Sequence, residues 1–166
     1  WNVLIDAILE LRLSGDFAGK RVLFVGYGEQ AEMLNEKIND LDLSDCCYYL
    51  GPKTHRELSE LYNQADIMIF PTMLYESLGL VGIEAMACGC PVIGSDIGCL
   101  PEYIKEGITG FLFEPGNSHE LAERIVDFYK LTEKQRNTMR LEAIRYVDKY
   151  ESRKISQALI NKIKEI

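Results

Sequence analysis

The sequence predicts an α/β fold, a parallel sheet with helices on both faces, on three observations. Five short runs, Arg21–Val25, Cys46–Leu50, Ile67–Phe70, Pro91–Gly94 and Phe111–Phe113, are apolar or aromatic almost throughout. Runs without polar alternation suit strands that are covered on both faces, as in parallel sheets. The segments between the first four runs carry apolar residues at helical spacing. Strands alternating with helices in this way build βαβ units.

Taken in order, Asn2 to about Ser14 is a helix with Val3, Leu4, Ala7, Ile8 and Leu11 on one face. The chain opens on Trp1, without a methionine and already inside this pattern, and reads as a piece of a longer protein. After the strand Arg21–Val25 comes Gly26-Tyr27-Gly28, then a helix from about Glu29 to Leu41 with Met33, Leu34 and Ile38 inward. The strand Cys46–Leu50 ends at Gly51-Pro52. Thr54 is the expected N-cap of the helix His55–Asn63, with Glu57 completing a capping box. Strand Ile67–Phe70 leads through a turn into a helix beginning at Gly79–Leu80. Gly89 and Pro91 mark its end. Strand Pro91–Gly94, a short turn at Glu102–Lys105 and strand Phe111–Phe113 follow. Three C-terminal helices are expected at about Ser118–Leu131 (Ser118 as N-cap), Thr132–Lys149 and Ser152–Ile166, placed to cover sheet edges. No linker, repeat or low-complexity tract interrupts this order.

The chain has 166 residues, 47% of them hydrophobic and 27% charged, enough for one domain with a substantial core. Its net charge of −8 offers no basic face to displace counterions, which argues against a nucleic-acid partner. Phosphate on a small molecule remains compatible, because helix N-termini bind it through backbone N–H groups. No run of about 18 apolar residues is present to span a membrane, and no signal peptide is visible. The five cysteines, Cys46, Cys47, Cys88, Cys90 and Cys99, read as small buried apolar residues in a reducing cytoplasm rather than as ligands of zinc. His55 and His119 sit among polar residues at helix starts and read as surface groups. Tyr48, Tyr49 and Tyr62 read as core or sheet-face aromatics.

The chemistry concentrates between Pro71 and Glu102. Two carboxylates lie there, Glu76 in the loop after a strand and Glu84 early in the following helix. Side chains on a helix lean toward its N-terminus, so Glu84 can point toward the crevice that Glu76 borders. That crevice lies at the carboxyl end of a strand, where open α/β sheets bind ligands. Either acid alone could equally be a solvated surface group, and an early-helix Glu84 is favoured by the dipole in any case.

Gly26-Tyr27-Gly28-Glu29-Gln30-Ala31 matches the G-x-G-x-x-A dinucleotide fingerprint. An NAD site should add an acid about 20 residues on, at the end of the next strand. That strand instead ends Tyr48-Tyr49-Leu50, and Glu29 would repel a pyrophosphate. The alternative is a tight strand-to-helix turn that lines a different nucleotide site.

The run PTMLYESLGLVGIEAMACGCPVIGSD, with Glu76 and Glu84 separated by seven residues, resembles the signature of the retaining glycosyltransferases of family 4, also called group 1. The flanks agree: Val25-Gly26-Tyr27-Gly28 resembles the family's VGxG, Leu50-Gly51 its LG, Gly98-Cys99-Leu100-Pro101-Glu102 its GGxPE, and Gly107 to Leu112 its GxxGxL. The resemblance implies a GT-B architecture, two Rossmann-like domains across a cleft, with residues 1–166 as most of the C-terminal, donor-binding domain. Its first strand and the N-terminal acceptor domain would lie upstream. It implies Glu76 as the catalytic carboxylate in contact with the donor sugar's hydroxyls, and Glu84 on the ribose hydroxyls. Donor binding would extend to Ser77 and to the backbone of Leu78, Gly79 and Leu80 at the sugar and diphosphate. Gly26 and Gly28 would line the nucleotide site, and Gly51 with Lys53 would lie near the base, although Lys53 also reads as an ordinary solvated loop lysine.

These residue types fit that chemistry. A carboxylate accepts both hydroxyls of a vicinal diol, and donors aimed at the leaving diphosphate stabilise its developing charge. Small Gly79 and Gly82 are expected to let ligand approach the backbone. The implied donor is a nucleoside-diphosphate sugar, with no cofactor and no metal required, and the implied setting is cytoplasmic polysaccharide or glycolipid assembly, compatible with peripheral membrane association. A non-catalytic nucleotide-sugar-binding module of the same ancestry is the alternative. The family's diphosphate-gripping Arg and Lys lie upstream of Trp1, so the stretch by itself is expected to be inactive. Cys99, where the family commonly has glycine, leaves the local loop shape open.

Overall fold

The computed structural model describes residues 1–150. Helices and strands follow in the order α1 (Asn2–Ser14), β1 (Val22–Phe24), α2 (Ala31–Asp40), β2 (Cys47–Tyr49), α3 (His55–Gln64), β3 (Met68–Phe70), α4 (Leu80–Ala87), β4 (Val92–Ser95), α5 (Leu100–Tyr103), β5 (Gly110–Phe113), α6 (Ser118–Lys130) and α7 (Glu133–Val147). A 3₁₀ turn at Asp148–Tyr150 follows α7. The expected helix Ser152–Ile166 lies outside the described residues.

All strand pairings are parallel, as the apolar runs predict. They form two sheets rather than one, β1-β2 and β3-β4-β5. The reason lies in which neighbour each strand serves. Val22 N donates to Cys46 O and Leu50 N to Phe24 O, so Val22 and Phe24 face β2. In a parallel ladder the alternate residue, Leu23, then turns its N–H and C=O the other way. Met68 likewise bonds to Pro91 on the β4 side, which leaves Ile69 facing away. Leu23 and Ile69 make no backbone hydrogen bond among the described residues.

One core nevertheless serves both sheets. Ile5 and Ile8 of α1, Phe24, Ile93, Phe113 and Phe128 of α6 belong to the same buried cluster, with α1 packed on α6. A second cluster lies between α4, α5 and α7 and contains Met86, Leu100, Tyr103, Ala143 and Val147.

Several local expectations need correction. Met33 is exposed, so the inward face of α2 is Leu34 and Ile38 alone. Asn117, not Ser118, caps α6, because its side chain accepts the Glu120 amide. The turn expected at Glu102–Lys105 is preceded by a real helical turn, α5. At the edge of β5 the first C-terminal helix, α6, supplies two of the covering side chains: Arg124 Nε donates to the Leu112 carbonyl at 3.1 Å and Glu120 Oε2 accepts the Glu114 amide at 2.8 Å, while Glu106 Oε2, from the loop before β5, accepts the Leu112 amide at 3.0 Å. By contrast, the Thr54–Glu57 capping box is present as predicted. No helix of the described residues is long and apolar enough to cross a membrane.

Candidate functional site

The chain leaves β3 at Phe70 and runs through Pro71–Gly79 before α4 begins. The Thr72 hydroxyl accepts the Leu74 amide at 3.1 Å and lies 3.4 Å from Glu76 Oε1, which tightens the turn under the half-buried Glu76. From the other side the turn before α5 grips the Glu76 backbone. The Cys99 amide donates to the Glu76 carbonyl at 3.0 Å. Gly98 has φ +62°, and a Cβ there would meet Glu76 O at 2.5 Å and Glu76 N at 2.7 Å. Both the left-handed backbone and the close approach demand glycine. Cys99 itself has φ −84°, a conformation open to any residue, so the departure from the family pattern leaves the loop intact.

Helix α4 starts from Gly79 at φ +61° without a side-chain cap. The amides of Ser77, Leu78, Gly79, Leu80 and Val81 make no hydrogen bond among the described residues. A cluster of free N–H groups at the positive end of a helix attracts anions. The glycines of this segment have a packing role that the sequence does not show. A Cβ on Gly79 would come within 2.7 Å of Tyr103 Oη, and one on Gly82 within 2.5 Å. Their bare faces admit the fully buried Tyr103, whose hydroxyl donates to the Gly79 carbonyl at 3.2 Å. Sequence reasoning missed Tyr103, Thr72 and the role of Gly98. Tyr103 stands far along the chain in a stretch read as a turn.

Glu84 is half-buried on α4, and its side chain makes no hydrogen bond or ion pair with the described residues. It lies near Tyr62 of α3, whose hydroxyl is pushed up to about 12 by burial and, secondarily, by the Glu84 charge. Ser77, Leu78 and Leu80 are exposed, and with Met73, Leu74, Tyr75 and Val81 they give the loop an apolar rim.

The other predicted residues gather at the ends of β1 and β2. Gly26 N donates to the Gly51 carbonyl at 3.0 Å, and the Tyr49 hydroxyl donates to the Gly26 carbonyl at 2.9 Å, so these two turns are tied together. Gly28 is exposed, and Lys53 is half-buried with no ion pair among the described residues. No hydrogen bond joins this group to the Glu76–Glu84 segment among the described residues. The end of β2 offers tyrosines and no carboxylate, which removes the support for a dinucleotide reading.

A cavity of about 460 Å³ lies elsewhere, lined by Asp96, Glu106, Glu114, Glu120 and Arg124 along β5. Three of these side chains are the ones that seal the strand edge. The cysteines behave as expected: burial pushes the Cys47 and Cys90 thiols up to about 12, and only Cys88 is not fully buried. Both histidines are exposed, and His119 Nδ1 meets Glu10 Oε1 at 2.5 Å between α6 and α1.

Comparison with known proteins places this geometry in a family. The sequence profile described as glycosyl transferases group 1 matches residues 2–145. The N-acetyl-alpha-D-glucosaminyl L-malate synthase of Bacillus anthracis is 35% identical over 117 residues, 70% of this chain and 30% of that protein. The D-inositol 3-phosphate glycosyltransferase of Mycobacteroides abscessus is 34% identical over 122 residues, 70% of this chain and 27% of its own length. This chain thus spans under a third of these curated relatives. Among solved structures, HepE from Anabaena in complex with UDP superposes with a TM-score of 0.85 at 26% identity, covering 99% of this chain and 45% of that one. A glycosyltransferase from Rickettsia africae superposes with a TM-score of 0.86 at 25% identity, covering 98% and 43%. The fold is that of a Rossmann-like domain of a GT-B enzyme, and the chain belongs to the group 1 glycosyltransferases.

Proposed function

We propose that this chain is the donor-binding domain of a retaining glycosyltransferase and holds a nucleoside-diphosphate sugar across the start of α4. The observation that carries the reading is a pair of half-buried carboxylates, Glu76 before α4 and Glu84 on it, neither paired with a cation among the described residues. Between them in sequence lie the amides of Ser77 to Val81, which make no hydrogen bond among the described residues. Structures of the similar Anabaena HepE in complex with UDP and with UDP-glucose support a ligand of this class.

In this reading Glu84 accepts the ribose diol and Glu76 holds the sugar hydroxyls, orienting the anomeric carbon. The free amides of α4 take charge from the departing diphosphate, which is the largest electrostatic demand of the step. No metal is assigned. Gly26, Gly28, Gly51 and Lys53 line the nucleotide end. The acceptor side, together with cationic groups that complete the diphosphate grip, is assigned to an N-terminal domain outside this stretch. The backbone of Leu23 and Ile69, unbonded among the described residues, supports a further strand of this same domain between β1 and β3, since internal strands rarely leave an edge unmet. A cytoplasmic setting and peripheral membrane contact belong to the same proposal for the whole enzyme.

Calorimetric titration of the protein with UDP, GDP and ADP tests it. Glu84→Gln removes the charged acceptor of two hydroxyls, worth about 1.5–3 kcal/mol, and should weaken the preferred diphosphate by about tenfold or more. An unchanged affinity removes Glu84 from the ribose. Binding without donor hydrolysis or transfer by the full-length enzyme would favour the non-catalytic module.

A further inference from the structure

The short helix α5 touches both halves of the Glu76–α4 segment, and each contact is made to a backbone carbonyl. At its start the Cys99 amide holds the Glu76 carbonyl at 3.0 Å. At its end the Tyr103 hydroxyl holds the Gly79 carbonyl at 3.2 Å. A trans peptide is planar, with its N–H pointing opposite to its C=O. Anchoring the Glu76 carbonyl on α5 therefore turns the Ser77 N–H away from α5. Anchoring the Gly79 carbonyl does the same for the Leu80 N–H. Among the described residues neither of these amides has a hydrogen-bond partner.

The second peptide is held from within α4 as well as from α5. Helix N-caps normally adopt extended backbone and satisfy the first turn through a side chain. Gly79 is left-handed and has no side chain to offer; its carbonyl accepts the Gly82 amide at 2.9 Å, and the Tyr103 hydroxyl is the second anchor, reaching it from outside α4. Tyr103 is itself immobilised. It is fully buried, it fills the space left by the missing Cβ atoms of Gly79 and Gly82, and its carbonyl accepts the buried Thr109 hydroxyl at 2.9 Å.

We propose that Tyr103 is a positioning residue for the donor site: its hydroxyl fixes the Gly79–Leu80 peptide so that the Leu80 amide is aimed at the diphosphate. The proposal rests on the donor-binding reading given above. It assigns no contact between Tyr103 and the ligand.

Tyr103→Phe isolates the hydroxyl, whereas Tyr103→Ala would open a cavity in the core. Titrations of the intact protein with UDP and with uridine separate the two ends of the ligand. Loss of one aimed donor should weaken UDP about fivefold while uridine changes less than twofold. A merely structural role would lower both alike, and that result, or unchanged UDP affinity, overturns the assignment. Coupling supplies a second measurement. Gly82→Ala drives a methyl onto the tyrosine oxygen, so it should weaken UDP more in the wild-type background than in Tyr103→Phe. Equal losses in both backgrounds would count against the proposal. If the wild-type protein binds none of UDP, GDP and ADP, the donor reading itself fails and takes this inference with it. Failure confined to the variants leaves that reading standing.

Discussion

At the scale of single residues, the backbone around Glu76 is held more tightly than its side chain. Gly98 is the clearest case, because its left-handed φ and its contact with the Glu76 backbone act together. Gly98→Ala should cost about 1–3 kcal/mol from the backbone alone, visible as a lower Tm, and should weaken diphosphate-sugar binding by displacing Glu76. Unchanged binding would mean that the loop position does not govern the site. The acidic pair and the glycines were readable in advance, since their spacing sits inside a strand–loop–helix pattern. The reason for Gly79 and Gly82 was not readable. It depends on an aromatic ring brought in from another loop, and periodicity carries no information about such a partner. The exposure of Met33 is a similar case: three apolar positions fit the inward arc of α2, and only packing shows that two are used.

At the scale of elements, caps and ion pairs decide where helices end and how they meet. The α3 capping box was legible because both of its residues act locally. The α6 cap was misplaced by one residue because Asn117 and Ser118 are both good capping types, and only geometry chooses between them. His119 joins α6 to α1 through Glu10, and that hydrogen bond, followed by the charges of Glu10 and Glu123, raises its pKa above the ordinary value of about 6.5. A raised histidine pKa contributes stability that is full below the unfolded value and lost as pH rises through the folded one. Wild-type Tm should therefore fall from pH 6 to pH 8 by more than that of His119→Gln. Parallel curves for the two proteins would show that the pair contributes nothing to joining the helices.

At the scale of the whole molecule, strand identities were legible and strand neighbours were not. All five apolar runs contain a strand, yet nothing in their composition shows that β1 and β3 lack a bond to each other. The outer edge of β5 is another feature absent from the pattern, because Glu106, Arg124 and Glu120 follow no spacing that marks a strand edge. Their task is to occupy backbone groups that an incoming strand would otherwise use. The double substitution Glu106→Ala with Arg124→Ala should raise light scattering at high protein concentration while near-ultraviolet circular dichroism stays native. Scattering equal to wild type would show that the seal is not what keeps copies apart.

The contrast between β5 and the strands β1 and β3 makes the architecture directional. A foreign ribbon arriving at the β5 flank finds the Leu112 and Glu114 sockets plugged, whereas among the described residues the Leu23 and Ile69 rims still offer theirs. Growth of the sheet is thus refused along β5 and invited at those two rims, a polarity that any attempt to graft, permute or fuse this domain has to respect.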